Sequence, residues 1–263
     1  MLGALGGSLT RYTIVDLSGV LRERQQQRLA LFAPKVHWVD ELPPELNGVI
    51  VGNEVLDAMP VQLVRFDGTQ WQERGVVLDG ESFAWSERPT TRRPPGETTF
   101  PPGAITETHA QAEAFIATLA DRLQRGAAFF VDYGFPRAEY QHPQRLGGTL
   151  MCHRAHKADT DPLIDVGQKD ITAHVDFTGI ALAAQDAGLD VIGYTSQAHF
   201  LMNCGIVELL GAADLPTRAN AQKLLMEHEM GELFKVIGLA KGCDEAFLRE
   251  AIGFVHGDRT HTL

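Results

Sequence analysis

Apolar residues in the first sixty positions fall into short runs, and each run ends on polar, mostly acidic, side chains. Tyr12-Thr13-Ile14-Val15 is a β-branched run that stops at Asp16. Ser18 can cap the helix that follows, L-R-E-R-Q-Q-Q-R-L-A, which is polar and amphipathic. Val36-His37-Trp38-Val39 predicts a second strand, ending at Asp40, and Pro43-Pro44 breaks the chain after it. Gly48-Val49-Ile50-Val51 predicts a third, delivering Asn53 and Glu54 to its carboxyl end. The order β-α-β-loop-β is the rhythm of a doubly wound sheet.

The pattern changes between Gln62 and Pro102. Q-L-V-R-F-D-G-T-Q-W-Q-E-R-G-V-V-L alternates like a strand pair around an Asp67-Gly68 turn, and a Pro-rich stretch follows. Residues 62–102 are therefore expected to form a β-rich insertion in an α/β domain made of 1–61 and 103–263. A helix is expected from about Glu107 to Arg125, ended by Gly126, with Ala112, Phe115, Ile116, Leu119 and Leu123 on one face. Ala127 to Val131 predicts a buried strand leading to Asp132-Tyr133-Gly134. The stretch from Phe135 to His174 is too long for a plain connection, which points to function. Asp176 can cap a helix through Ala187, and Leu189 to Tyr194 predicts another strand. Helices are expected over Gln197 to Leu210 and from near Ala219, and Phe234 to Leu239 predicts a last strand. No internal repeat is visible.

Composition narrows the function classes. The chain of 263 residues is 44% hydrophobic, enough for one sizeable core. Its formal net charge of −11, from 34 acidic and 23 basic residues, argues against a nucleic-acid binder and suits a cationic partner. Cys152, Cys204 and Cys243 are widely spaced, so neither a disulfide framework nor a zinc ribbon is expected, and a reducing compartment is. No run approaches the roughly 20 apolar residues of a membrane span. The N-terminus does not read as a signal peptide.

Asn53, Glu54 and Asp57 would form an acidic pocket at the carboxyl edge of the sheet, where open α/β sheets bind ligands. A strand end capping the next helix through Asn53 or Asp57 would read the same way. The compact group Cys152, His153, His156 invites a metal reading, but lacks a second paired cluster, so no metal is expected. Asp170, His174 and Asp176 are expected to form a hydrogen-bond network that holds the long loop against the pocket.

Seven segments resemble the MidA family, whose mitochondrial member is an arginine methyltransferase known as a complex I assembly factor. They include Y-T-I-V-D-L-S-G-V-L-R-E-R-Q, N-E-V-L-D-A-M-P-V, V-D-Y-G-F, G-T-L-M-C-H, D-I-T-A-H-V-D-F and M-G-E-L-F-K-V-I-G-L, in family order from near Tyr12 to near Lys241. The resemblance implies a class I methyltransferase (Rossmann-like) fold of the α/β class, with a mostly parallel sheet whose last strand is antiparallel. It also implies S-adenosylmethionine as cofactor. One family feature is missing, the first strand with its glycine-rich loop of the E-x-G-x-G-x-G kind. Gly3, Gly6 and Gly7 are not preceded by a strand. The expectation is an N-terminally shortened form, the alternative being that another element or a partner chain fills the gap.

Carried onto this sequence, the resemblance gives Asp16 to the ribose hydroxyls and Asp40 to the adenine amino group, with Asn53 beside the cofactor. Helix capping by Asp16 and an exposed turn at Asp40 are the plainer alternatives. Glu54 is the residue expected to orient a guanidinium, because a carboxylate pairs with that planar cation in a bidentate manner. Asn53 would fix its geometry and Asp57 support it, while Asp132, Tyr133 and His174 would line the same pocket. The implied function is methylation of an arginine on a partner protein such as a respiratory-complex subunit. The rival is a non-catalytic assembly factor. A homodimer is among the open arrangements, and the location implied is bacterial cytoplasm, or mitochondria in a eukaryote.

Overall fold

The computed structural model describes residues 2–96, 99–155, 157–249 and 251–263. His156, the third member of the metal reading, lies outside them. The early strands form where the apolar runs predict them: β1 is Tyr12–Val15, β2 is Val36–Val39 and β3 is Leu46–Asn53. The helix between β1 and β2, Gly19–Arg28, starts at Ser18, whose hydroxyl accepts the Leu21 N–H at 3.3 Å.

An antiparallel sheet follows, made of β4 (Gln62–Phe66), β5 (Trp71–Asp79), β6 (Ser82–Pro89) and β7 (Ile105–Thr108), in the order β6-β5-β4-β7. The Asp67-Gly68 turn between β4 and β5 forms as its sequence predicts. Gly68 has a φ of +107°, and Asp67 Oδ1 accepts the Thr69 and Gln70 N–H groups, both at 2.8 Å.

The next helix is shorter than its periodicity suggested, Ala110–Arg122. Glu107 belongs to β7, because Thr106, Glu107 and Thr108 pair with β4. At its other end the helix gives way directly to β8, Leu123–Phe135. Gly126 therefore does not end a helix but sits inside β8 with a φ of +144°, where a Cβ would lie 1.8 Å from the Gly48 carbonyl oxygen. The long loop carries a single helical turn, Arg137–Tyr140, and a small sheet of β9 (Met151–Arg154), β10 (Lys157–Asp159) and β11 (Asp170–Thr172).

Then come β12 (Val175–Asp176), the helix Phe177–Asp186 capped by Asp176, β13 (Asp190–Ser196) and β14 (Phe234–Lys241). The helical region after β13 is broken at Gly205, φ +83°, into Gln197–Asn203 and Ile206–Gly211. The helix expected near Ala219 begins earlier, at Leu215, because Asp214 caps it through the Thr217 N–H.

The central sheet runs β3-β8-β14-β13, with β12 also beside the end of β8. β3 and β12 pair parallel to β8, and β14 is antiparallel to both β8 and β13. The last strand is thus the antiparallel one, as the class I methyltransferase expectation requires. Helices Ala110–Arg122 and Phe177–Asp186 cover one face, where Ile116, Leu119, Phe177 and Ile180 pack with Phe130 and Ile237. On the other face Phe254 lies against Gly193 and Gly238, where added Cβ atoms would come within 2.1 and 2.7 Å of its ring. Phe129, Val236 and Phe200 complete that cluster. Each such large apolar side chain contributes about 1.5–3 kcal/mol on burial.

β1 and β2 pair in parallel with each other and, among the described residues, with no other strand. Among the described residues nothing pairs with the edge of β3 away from β8, and Val49 and Val51 are 71% and 61% exposed. These are the two strand edges that the family's first strand would separate.

Candidate active site

β3 and β8 run in the same direction and end at the same edge of the sheet. At the end of β3 the chain turns sharply through Glu54, whose φ of +50° lies in the left-handed region that side chains avoid. The turn is held on both sides. The Glu54 N–H donates to the Val131 carbonyl at 2.9 Å, and Leu56 drives into the core. Asp132, next along β8 and 1% exposed, gathers the remaining amides. Its Oδ2 accepts the N–H groups of Val55, Leu56 and Asp57 at 3.1, 2.9 and 3.3 Å, and its Oδ1 accepts the Tyr133 N–H at 3.1 Å. Burial, and after it the neighbouring Asp57 charge, push the Asp132 carboxyl up to about 7, against the pull of three amides toward the ionised form.

Asp57 is buried behind this turn. Its Oδ2 takes the hydrogen bond donated by the Tyr133 hydroxyl, while its Oδ1 is buried with no partner. Burial raises both the carboxyl of Asp57 and the phenol of Tyr133. His174 stands edge-on to the Tyr133 ring at 5.1 Å and stacked on Phe135 at 5.2 Å. Its Nδ1 is also buried without a partner. Desolvation, with help from the Arg145 charge, lowers the imidazole to about 4, so it is neutral near pH 7. Buried Asp57 and Asp132 and half-buried Tyr133 and His174 thus come together as one polar group, in which Asp57 Oδ1 and His174 Nδ1 are left open. Asn53 and Glu54 stand outside it on the exposed rim, where Asn53 Nδ2 donates to Glu54 Oε1 at 3.1 Å.

The loop network differs from the one expected. His174 is tied by its backbone N–H to Thr149 Oγ1 at 3.0 Å, and Asp176 pairs with Arg137 at 2.9 Å while capping its helix through Gly179. Asp170 is exposed, and among the described side-chain hydrogen bonds it makes none in this cluster, although its charge helps to raise the Asp57 carboxyl. Its place is taken by Glu107, which the sequence reading passed over. Glu107 is 2% exposed and accepts the N–H groups of Thr149 and Leu150, at 2.6 and 3.1 Å, and the Tyr140 hydroxyl at 2.7 Å. A carboxylate so placed fixes the loop to β7 and is satisfied. The β-branched residues Ile105, Thr106 and Thr108 around it were the available signal for a strand there.

At the carboxyl ends of β1 and β2, Val15 and Val39 are register partners, so Asp16 and Asp40 stand side by side. Asp16 Oδ1 accepts the Ser18 N–H at 2.8 Å and Oδ2 accepts Gln25 Nε2 at 2.7 Å. Arg22 reaches the Asp16 carbonyl at 2.9 Å and pairs with the exposed Asp40 carboxylate. Each Asp16 oxygen keeps a lone pair free, which suits a vicinal diol. The N-terminal glycines are at the other end of these strands. Lys35, just before β2, donates to the carbonyls of Gly6 and Leu9 at 2.9 and 2.8 Å. Two carboxylates at strand ends fit the adenosine half of S-adenosylmethionine, whereas no glycine-rich turn among the described residues meets its methionine half. Among the described residues no group of three His, Cys, Asp or Glu could hold a metal ion, and no helix is long and apolar enough to cross a membrane.

Residues 6–195 match the model of the family described as "Putative S-adenosyl-L-methionine-dependent methyltransferase". A mitochondrial protein arginine methyltransferase NDUFAF7 homolog from Drosophila melanogaster is 28% identical over 250 residues, covering 84% of this chain and 54% of that protein. Its Caenorhabditis elegans counterpart is 25% identical over 226 residues, covering 73% and 50%. The chain spans about half the length of these curated relatives. A crystal structure of an uncharacterized protein from Burkholderia thailandensis superposes with a TM-score of 0.92 at 49% identity, covering 99% of this chain and 73% of the other. A second structure from that organism, bound to S-adenosyl-homocysteine, gives 0.90 at 48% identity, with 99% and 70% covered.

Proposed function

The chain belongs to this family of S-adenosyl-L-methionine-dependent methyltransferases, and on that premise we propose that it methylates an arginine side chain on a partner protein. The observation that carries the reading is the turn at Glu54, held in a left-handed backbone conformation by Val131 on one side and Asp132 on the other. Such strain persists only where the surroundings over-determine it, and it clusters at functional sites.

The bound cofactor supplies an electrophilic methyl group. The chain's residues position the acceptor. Glu54 pairs with the guanidinium and offsets its charge, and Asn53 holds the Glu54 carboxylate in place. The unpaired Oδ1 of Asp57 is a second acceptor set back from the rim. Asp132 holds the turn, and Tyr133 and neutral His174 wall the pocket. Asp16 takes the ribose and Asp40 the adenine amino group. Because little covalent chemistry falls to the protein, positioning supplies most of the acceleration. The names of the fly and worm relatives support an arginine acceptor, and a respiratory complex I subunit is the partner class that follows.

A second reading, a binding factor without transfer chemistry, is favoured by one observation. Among the described residues nothing pairs with the free edges of β1 and β3, where a glycine turn would meet the cofactor. Calorimetric titration of S-adenosyl-homocysteine into this chain separates the two, followed by transfer of a labelled methyl group to arginine peptides. Saturable binding with transfer supports the enzyme. Peptide binding with neither cofactor binding nor transfer supports the binding factor.

A further inference from the structure

A cleft of about 540 Å³ lies not at Glu54 but further along the same sheet edge, beyond β14. Its floor is where β8, β13 and β14 meet, at Phe135, Tyr194 and Lys235. Lys235 is the register partner of Asp132, and Phe234 meets the Tyr133 ring at 5.5 Å, so the cleft adjoins the candidate active site.

The charges in it are unevenly matched. Both cations are already taken by Glu232. Arg259 pairs with it through two bonds, at 2.5 and 3.1 Å, and Lys235 approaches it at 3.5 Å. Three other carboxylates on the wall, Glu139, Glu227 and Glu229, make none of the described side-chain hydrogen bonds or ion pairs. They are not arranged to share a metal ion. Tyr194 supplies the independent sign of a ligand. It is 1% exposed, yet its hydroxyl is buried without a hydrogen-bond partner. Burial first, and then the charge of Glu139 on the cleft wall, hold that hydroxyl in its protonated form. A buried hydroxyl left unpaired costs about 1–3 kcal/mol, a cost that a bound polar group removes.

We propose that this cleft is a docking subsite for a second basic side chain, arginine or lysine, of the acceptor polypeptide. The wall carboxylates take the cationic head, the Tyr194 hydroxyl accepts one of its N–H groups, and Phe135, Pro136 and Leu233 line the aliphatic stem. This rests on the reading of the chain as acting on a protein acceptor.

The test is fluorescence anisotropy of a fluorescein-labelled peptide of four arginines spaced by glycine, with the whole chain and no cofactor. The variant Glu139→Gln/Glu227→Gln/Glu229→Gln is expected to bind on the order of tenfold more weakly. A charge-matched control, Glu23→Gln/Glu81→Gln/Asp186→Asn, is expected to change affinity by less than about twofold, as remote exposed charges are screened. Tyr194→Phe is expected to weaken binding a few-fold while leaving the melting temperature unchanged or raised, since it removes an unpaired hydroxyl. No saturable binding by the wild-type chain, or equal affinities of the two triple variants, would overturn the subsite. Peptide binding that depends on the cleft, with no transfer in a separate labelled-methyl assay supplied with S-adenosylmethionine, would leave the subsite standing and overturn the enzyme reading. Transfer with no dependence on the cleft would do the reverse.

Discussion

Asp132 on β8 accepts a hydrogen bond from the backbone N–H of Leu56, 2.9 Å away and 76 residues earlier in the chain. With its neighbours at Val55 and Asp57, that bond joins the end of β3 to the end of β8 and fixes the turn carrying Glu54. Its consequences reach stability, pH dependence and chemistry.

Asp132 and His174 are expected to give opposite pH dependences. The Asp132 carboxyl rises from 3.8 to about 7 on folding, so the folded state holds the extra proton and stability falls as pH rises through that window. His174 drops from 6.5 to about 4, so the unfolded state holds the proton and stability rises with pH between those values. Each slope is about 1.4 kcal/mol per pH unit at most. Between about pH 4 and 6.5 the two oppose each other. Compared with the wild type, Asp132→Asn should gain stability with rising pH and His174→Gln should lose it. Urea midpoints measured from pH 4 to 7.5 check both, and parallel curves for all three proteins would refute the assignment.

Glu54→Gln should lower methyl transfer by on the order of 10²-fold or more, with S-adenosyl-homocysteine affinity nearly unchanged. Glu54→Gly should lose transfer equally but gain about 1 kcal/mol of stability, because glycine accepts the positive φ without strain. Single-turnover assays beside denaturant melts separate the two effects. Normal turnover by the glutamine variant removes Glu54 from the chemistry.

Asp16→Ala should weaken S-adenosyl-homocysteine binding by roughly tenfold or more, the worth of a charge-assisted hydrogen bond to the ribose. Because Asp16 also holds Ser18 and Gln25, Asp16→Asn serves as companion, keeping an acceptor for one of them. Unchanged calorimetric affinity in both variants takes Asp16 out of the site.

Gly126→Ala should destabilise the fold by about 3 kcal/mol or more, since its Cβ would fall on the Gly48 carbonyl oxygen and part β3 from β8. Gly48→Ala meets no atom within 4 Å and carries only the cost of its φ of +137°. A smaller loss for Gly126→Ala than for Gly48→Ala, in parallel thermal melts, would contradict the close approach.

Much of the fold is written in local pattern. The runs at Tyr12, Val36 and Ala127 become strands, Ser18 and Asp176 cap their helices, and Asp67-Gly68 turns its hairpin. These features depend on side-chain alternation and on hydrogen bonds a few residues apart, which a sequence states directly. The acids at strand ends are equally plain, because they close apolar runs.

What each acid does is a matter of long-range partners, and only the tertiary structure decides it. Glu54 and Asp132 both follow apolar strands, but one stands on the rim and the other is sealed under three amides from a distant turn. Glu107 lies in a pattern that could be helix until β4 pairs with it. The cleft at Tyr194 draws its walls from segments near residues 139, 194, 229 and 259. The sequence by itself determined which residues could carry charge at the edge of a sheet. Desolvation and hydrogen bonding between segments 33 to 76 residues apart determined which are buried, which are paired and which are left open to a ligand.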